Sequence, residues 1–278
     1  MAKPKLVLPE NWNKLTHWNH TLCRMLINSN VFDIRLKKFP SKPNVARINN
    51  WHLMEVNGHL VGVDTWDTYA PTSHLVKGDY FDNIYKNVEM VLKIQYYKCD
   101  QWNKAAQKIH RPIRSWTIFP SNKFKLEAFK WAYSDHKLMA ILTGRNDRFG
   151  RQPWVDWCNE QPDFVAGHKL RLSDDEFIAK LASSRWGLVL KGLARNHDGK
   201  NRRECEFSSC GMPLVLNYTP TYEFPMQPGV HFVLLNKPED LASLRYIDPR
   251  PYAYMANELY NDHFSPFGMA KDLLKIVS

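Results

Sequence analysis

The sequence predicts an α/β protein of two domains, the second of them a parallel sheet with helices on both faces. Beyond residue 136, short apolar runs rich in Val, Leu and Ile alternate with segments whose apolar residues recur at helical spacing, the pattern of repeated β-α-β units. Before residue 122 the strand-like runs come closer together, and two of them are separated only by Asn57-Gly58, the turn signal of a hairpin. Size is the third observation: 278 residues are long for one hydrophobic core and comfortable for two. The expected division is an N-terminal α/β domain over 1–125, a second domain over 126–245 and closing helices over 246–278.

Element by element, ENWNKLTHWNHTLCRMLINS places Trp12, Leu15, Leu22, Met25 and Leu26 on one face of an amphipathic helix. VFDIRL, WHLMEV and HLVGVDTW follow as strands, YFDNIYKNVEMVLKIQYYKC as a helix running into a strand, and RSWTIFPS as a further strand. SNKFKLEAFKWAYSDH reads as a helix near the domain boundary. KLMAILTG, DFVAGHKL, RWGLVLKG, MPLVLN and GVHFVLL are the strands of the second domain. Between them, QPWVDWCNEQ is a helix with Pro153 near its start, SDDEFIAKLASS a helix opened by a Ser173/Glu176 capping box, and RRECEFSSC a helix stopped by Gly211. The chain closes in two helical segments joined at Ser265-Pro266.

A net charge of +10 and a pI of about 9.3 fit a polyanionic partner, whether nucleic acid, acidic lipid, acidic glycan or a phosphorylated small molecule; a merely solvated basic surface accounts for them equally. The five cysteines at 23, 99, 158, 205 and 210 form no C-x-x-C and are odd in number, which argues for reduced, mostly buried thiols. No apolar stretch approaches the roughly 20 residues of a membrane span, and MAKPKLVLPENWNK lacks the apolar core of a signal peptide, so the expected address is cytoplasmic with no membrane span. The chain has no Walker loop, no G-x-G-x-x-G and no G-x-S-x-G, which weakens kinase, dehydrogenase and hydrolase readings. His17 and His20 share a helical face but lack a third ligand, so no metal site is expected there.

The stretch KNRRECEFSSCGMPLVLN, residues 200–217, carries the most chemistry. A helix beginning near Asn201 or Arg202 presents unpaired backbone N–H groups with partial positive charge, and Arg203 adds a guanidinium fork suited to phosphate oxygens. Glu206 lies one turn on from Arg203, on the same face, where a carboxylate suits the hydroxyls of a ribose. Cys205, Ser208, Ser209 and Cys210 are small enough to let the helix sit close on a sheet. Two readings stand: a socket for a nucleoside diphosphate, or a surface helix with an ordinary i,i+3 ion pair. Upstream, LTGRNDRFGRQPW puts Thr143, Arg145, Arg148 and Arg151 where a strand end feeds a helix start, the place at which sheets of this type bind ligands.

The pattern R-x-x-E-x-x-x-x-G-x-P-L-V-L over residues 203–216 resembles the donor-binding signature of exostosin-type and Rumi-type glycosyltransferases. The segment with Gly144 and, seven positions later, Arg151 is similar to a Rumi-type segment. Together the likeness covers roughly residues 136–240 and does not extend convincingly through the first 120. It implies the GT-B fold: two Rossmann-like domains facing a cleft, with the closing helices crossing back to the first domain. It also implies that Arg203 contacts a donor diphosphate and Glu206 a ribose, and it places Gly144 and Arg151 at the donor site, which Thr143, Arg145 and Arg148 at the strand end, and Lys191, are expected to line as well. Most relatives work in the secretory pathway behind a membrane anchor, and with no such span expected this chain is expected to depart from them.

Inverting sugar transfer needs a base for the acceptor hydroxyl. HLVGVDTWDTYAPTSH offers Asp64 where its apolar run stops, with Asp67 and His74 beyond; Asp64 is the expected base, and a turn-capping aspartate is the competing reading. No D-x-D occurs, so the expected enzyme is metal-independent and uses no cofactor beyond its donor. The resulting expectation is transfer of a sugar, with xylose preferred, from a UDP-sugar to a glycan hydroxyl, with nucleic acid not a partner. The alternative is a nucleic-acid-binding protein using KNRR, GRNDRFGR and interleaved aromatics. Trp51, Trp66, Trp102, Trp116 and Trp154 are candidates either for a stacking platform or for the core.

Overall fold

A computed structural model of the chain describes residues 2–15, 17–39, 51–64, 88–93, 112–116, 130–133, 138–143, 150–167, 173–191, 202–220, 222 and 224–278. The protein is mixed α/β and divides into two units, Met1–Thr117 with Ser265–Ser278, and Ile118–Phe264. Each unit has its own sheet.

The first unit contains β1 (Lys5–Pro9), α1 (His17–Asn28), β2 (Asp33–Lys37), β3 (Trp51–Val56), β4 (His59–Asp64), β5 (Met90–Lys93) and β6 (Ile113–Ser115). The strand order is β2-β1-β3-β4-β5-β6. β4, β5 and β6 run parallel, as do β1 and β2, while β3 is antiparallel to both of its neighbours. The β3–β4 hairpin turns at Asn57 (φ 52°) and Gly58 (φ 92°), the paired left-handed conformations that match the twist of the flanking strands. The Asn57 carboxamide accepts from the Lys5 N–H at 2.9 Å, fastening this turn to the start of β1. β1 itself is absent from the sequence-based expectation, because its alternation spans five residues ending in Pro9; Leu6 and Leu8 are wholly buried. Of the strand expected over 114–121, Arg114 and Ser115 fall in β6, and 117–121 lie outside the described residues.

α1 buries Leu22, Met25 and Leu26 as the spacing predicts, with Cys23 beside them. Trp12 lies in a separate 3-10 turn (Trp12–Lys14) and Leu15 also precedes α1, so the expected face is shared between two elements. Against α1 packs α6 (Pro266–Val277), whose first turn is capped by the Ser265 hydroxyl accepting from the Gly268 N–H at 3.0 Å, with Pro266 at a position that needs no donor.

The second unit holds β7 (Leu138–Thr143), α2 (Gln152–Glu160), β8 (Phe164–Gly167), α3 (Asp174–Ala182), β9 (Ser184–Val189), α4 (Arg202–Ser209), β10 (Leu214–Leu216), β11 (Phe232–Leu234), a 3-10 segment (Pro238–Tyr246), α5 (Arg250–Leu259) and a π turn (Tyr260–Phe264). Its sheet is parallel throughout, in the order β11-β10-β9-β7-β8. Ala140, Leu142, Trp186, Leu188, Val215 and Val233 share one face, covered by Trp154, Val155 and Cys158 of α2 and by Leu241 and Leu244 of the 3-10 segment. Gly187 faces the other way, and there α4 sits so close that a Cβ on Gly187 would lie 2.5 Å from the Phe207 ring. The Ser173/Glu176 capping box is present, with the Glu176 carboxylate accepting from the Ser173 N–H at 2.7 Å and the Ser173 hydroxyl from the Glu176 N–H at 3.3 Å. Gly211 ends α4 at φ 74°.

The helix expected over 121–136 lies mostly outside the described residues, and the part within them, Lys130–Tyr133, is not helical. The reason is long-range bonding: the Trp131 N–H donates to the Cys210 carbonyl at 2.7 Å, its indole to the Ser184 carbonyl at 3.1 Å, and the Lys130 ammonium to the Ser209 carbonyl at 3.1 Å. The bonds to Ser209 and Cys210 serve carbonyls at the end of α4, which no intrahelical donor reaches, and the third ties Trp131 to the start of β9. No helix among the described residues is long and apolar enough to cross a membrane.

Candidate functional site

In the second sheet β8 lies outside β7 on one side, while β9, β10 and β11 step outward on the other. β7 and β9 are thus the neighbours at which the strand order reverses, and open α/β sheets bind ligands beyond the carboxyl ends of the strands at such a switch point. Thr143 is the last residue of β7, and Leu190 and Lys191 follow β9 directly.

Arg151, immediately before α2, spans this point. Its Nε donates to the Lys191 carbonyl at 2.9 Å, and its Nη2 donates to the Leu190 and Lys191 carbonyls at 3.0 and 2.7 Å. The guanidinium thus braces the exit of β9 while remaining half-buried. Burial lowers the Arg151 pKa, the Tyr218 phenol opposes that shift, and the nearby Arg203 guanidinium adds to it. A second tie joins β9 to β10, where the Lys191 N–H donates to the Asn217 carboxamide at 2.8 Å.

Arg203 sits in the first turn of α4. It donates from Nη1 to Glu206 Oε2 at 2.5 Å, and its guanidinium lies 5.1 Å from the centre of the Phe177 ring. The Arg203 side chain is 23% exposed and that of Glu206 is 0% exposed, so the cation faces outward and the carboxylate lies beneath it. Glu204, also in the first turn and wholly buried, accepts from the hydroxyls of Tyr218 and Tyr222. Burial first, and then Glu204, raise the Tyr222 phenol well above its ordinary value.

Arg151, Lys191, Arg203 and Glu206 are therefore brought together in one unit, at one end of one sheet. Gly144, Arg145 and Arg148 lie outside the described residues, as do Asp67, His74, Trp66 and Trp102. Asp64 ends β4 in the first unit, where its register partner on β5 is Lys93, a lysine with no exposed surface. Trp116 and Trp154 are buried. His20 stacks on Trp12 with ring centres 5.4 Å apart, and no group of three metal-ligating side chains occurs among the described residues.

No protein-family model and no curated protein matches the chain. Solved structures do match it. A sucrose-phosphate synthase from Thermosynechococcus elongatus aligns at a TM-score of 0.47 and 12% identity, over 77% of this chain and 66% of that one. A GtfA/B complex aligns at 0.39 and 14% identity, over 72% and 48%. The pneumococcal O-GlcNAc transferase GtfA, solved with UDP and GlcNAc, aligns at 0.40 and 12% identity, over 72% and 47%. The chain spans from about half to two thirds of the length of these structures.

Sequence reasoning missed Glu204, Tyr218 and Tyr222. Of the two glutamates in RRECE, only the one spaced a turn from Arg203 carries a local signal. The partners of Glu204 lie 14 and 18 residues downstream, beyond the reach of any helical or strand periodicity.

Proposed function

We propose that the chain transfers a sugar from a nucleotide-sugar to a hydroxyl acceptor, as an inverting, metal-independent glycosyltransferase of the GT-B fold. The observation that carries this reading is that Arg151, bonded to the Leu190 and Lys191 carbonyls at the end of β9, and Arg203, in the first turn of the helix between β9 and β10, stand on the side of a parallel sheet where its switch point lies. Two guanidinium groups beside the first turn of a helix are suited to a diphosphate that gains negative charge as it departs.

In this reading Arg203 binds the diphosphate and Glu206 the ribose. Since Glu206 lies buried under its bond from Arg203, donor binding requires Arg203 to turn from the carboxylate to the phosphate oxygens. Arg151 braces the end of β9 through the Leu190 and Lys191 carbonyls, and Thr143 and Lys191 stand at the strand ends. Gly144, by resemblance, and Arg145 and Arg148, by their place after the strand end, complete the proposed donor site. The Asp64 carboxylate takes the acceptor hydroxyl proton, the acceptor oxygen attacks the anomeric carbon, and the bond from that carbon to the diphosphate oxygen breaks. UDP is the proposed nucleotide and xylose the proposed sugar, with a glycan hydroxyl as acceptor.

A thermal-shift panel of nucleoside diphosphates and nucleotide-sugars tests the reading, because a ligand that binds only the folded state raises Tm. UDP and a UDP-sugar are expected to raise it. No shift with any nucleotide, together with oligonucleotide binding that falls steeply with salt, would replace this reading with the nucleic-acid one to which the +10 charge also lends itself.

A further inference from the structure

Glu204 is a carboxylate with no exposed surface in the first turn of α4, next in sequence to Arg203. A buried charge is costly unless hydrogen-bonded, and an apolar side chain of similar size would hold α4 to β10 at least as firmly. The surroundings are already apolar, since Cys205, Phe207 and Cys210 are all wholly buried. What the carboxylate adds is direction. One oxygen accepts from Tyr218, which follows β10 by two residues, and the other accepts from Tyr222. Tyr218 is next to Asn217, whose carboxamide accepts from the N–H of Lys191, the residue whose carbonyl in turn accepts from Arg151. Tyr222 is itself held by stacking: its ring centre lies 4.7 Å from that of Phe224, which stacks in turn on His263 at 3.7 Å. Phe264 meets the Tyr222 ring edge-on at 5.5 Å.

We infer that Glu204 is a positioning residue of the proposed diphosphate site: by gripping both tyrosines it locks the first turn of α4 to the segment leaving β10, and so sets Arg203 and Arg151 at a fixed spacing. The inference rests on the diphosphate reading given above and adds to it a residue that itself touches no substrate.

Glu204→Gln separates this role from two simpler ones. Glutamine keeps the shape, removes the charge and presents one acceptor where the carboxylate presents two. If Glu204 served only to moderate the positive potential, its neutralisation would tighten the binding of anions. If it served only the fold, denaturant stability would fall while affinity, measured well below Tm, stayed put. Positioning predicts weaker binding of both UDP and inorganic pyrophosphate by calorimetry, by about tenfold, the scale of one lost charge-assisted hydrogen bond. Tyr222→Phe removes one of the two donors and is expected to weaken binding by about threefold. The double variant should lose little more than Glu204→Gln alone, because both changes act on one network.

Unchanged or tighter binding by a folded Glu204→Gln protein overturns the inference and leaves the diphosphate reading intact. Should that variant fail to fold, Tyr222→Phe decides: undiminished affinity overturns the inference, and reduced affinity at unchanged stability upholds it. If the unaltered protein binds neither pyrophosphate nor any nucleoside diphosphate, the diphosphate reading and the inference fall together.

Discussion

Arg203 covers Glu206: its guanidinium is partly open to solvent, while the carboxylate it touches at 2.5 Å is wholly enclosed. Removing the arginine takes a charged partner from a buried acid, a change that costs about 3–5 kcal/mol where such pairs have been broken. Arg203→Met is therefore expected to lower unfolding free energy by about 3 kcal/mol in a urea titration. Adding Glu206→Leu should restore most of that stability, because an apolar pair of similar volume needs no compensation. It should not restore the UDP-induced rise in Tm. Restoration of both would show that Arg203 acts on the fold alone.

Gly187 is the point at which β9 admits α4. An added methyl would stand 2.5 Å from the Phe207 ring and 2.9 Å from the Met212 sulfur, both wholly buried. Gly187→Ala is expected to cost about 1–3 kcal/mol through overpacking. Trimming the ring with Phe207→Leu in the same chain should cost less than it does alone. Strict additivity of the two changes in denaturant midpoint would contradict the close approach.

Alkaline pH should act on buried thiols before it acts on phenols. Burial pushes Cys23, Cys158 and Cys210 from an ordinary 9.0 up to about 12. Because the folded values are raised, the unfolded chain releases these protons first. Their contribution is whole below pH 9 and is lost as pH climbs towards 12. Each thiol contributes a slope of roughly 1.4 kcal/mol per pH unit in that window. Above about pH 10 the Tyr222 phenol, raised by burial and by Glu204, adds to the decline. Urea midpoints measured from pH 7 to 11 should be level at first and then fall. A Cys23→Ala protein should fall less steeply, and an identical slope would remove that thiol from the account.

Much of the local structure was legible in the residues themselves. Asn57-Gly58 specifies a hairpin because both positions accept positive φ, and the Ser173/Glu176 box starts α3 because each group satisfies the other's backbone donor. Gly211 ends α4, and Ser265-Pro266 opens α6, for equally local reasons. Lys130–Tyr133 shows where such reasoning gives out: its helical pattern yields to bonds with Ser184, Ser209 and Cys210, which are more than fifty residues away.

By itself the sequence determined many of the strands and helices, though neither β1 nor the course of Lys130–Tyr133, and that Arg203 and Glu206 share a helical face, since each of these depends on contacts within a few residues. Only the tertiary structure decided that β9 lies between β7 and β10, that Arg151 reaches the carbonyls of Leu190 and Lys191, and that Glu204 rather than solvent receives two tyrosine hydroxyls. Strand order and burial are settled by how whole faces pack together, and no periodicity within a single segment encodes the partner it will meet.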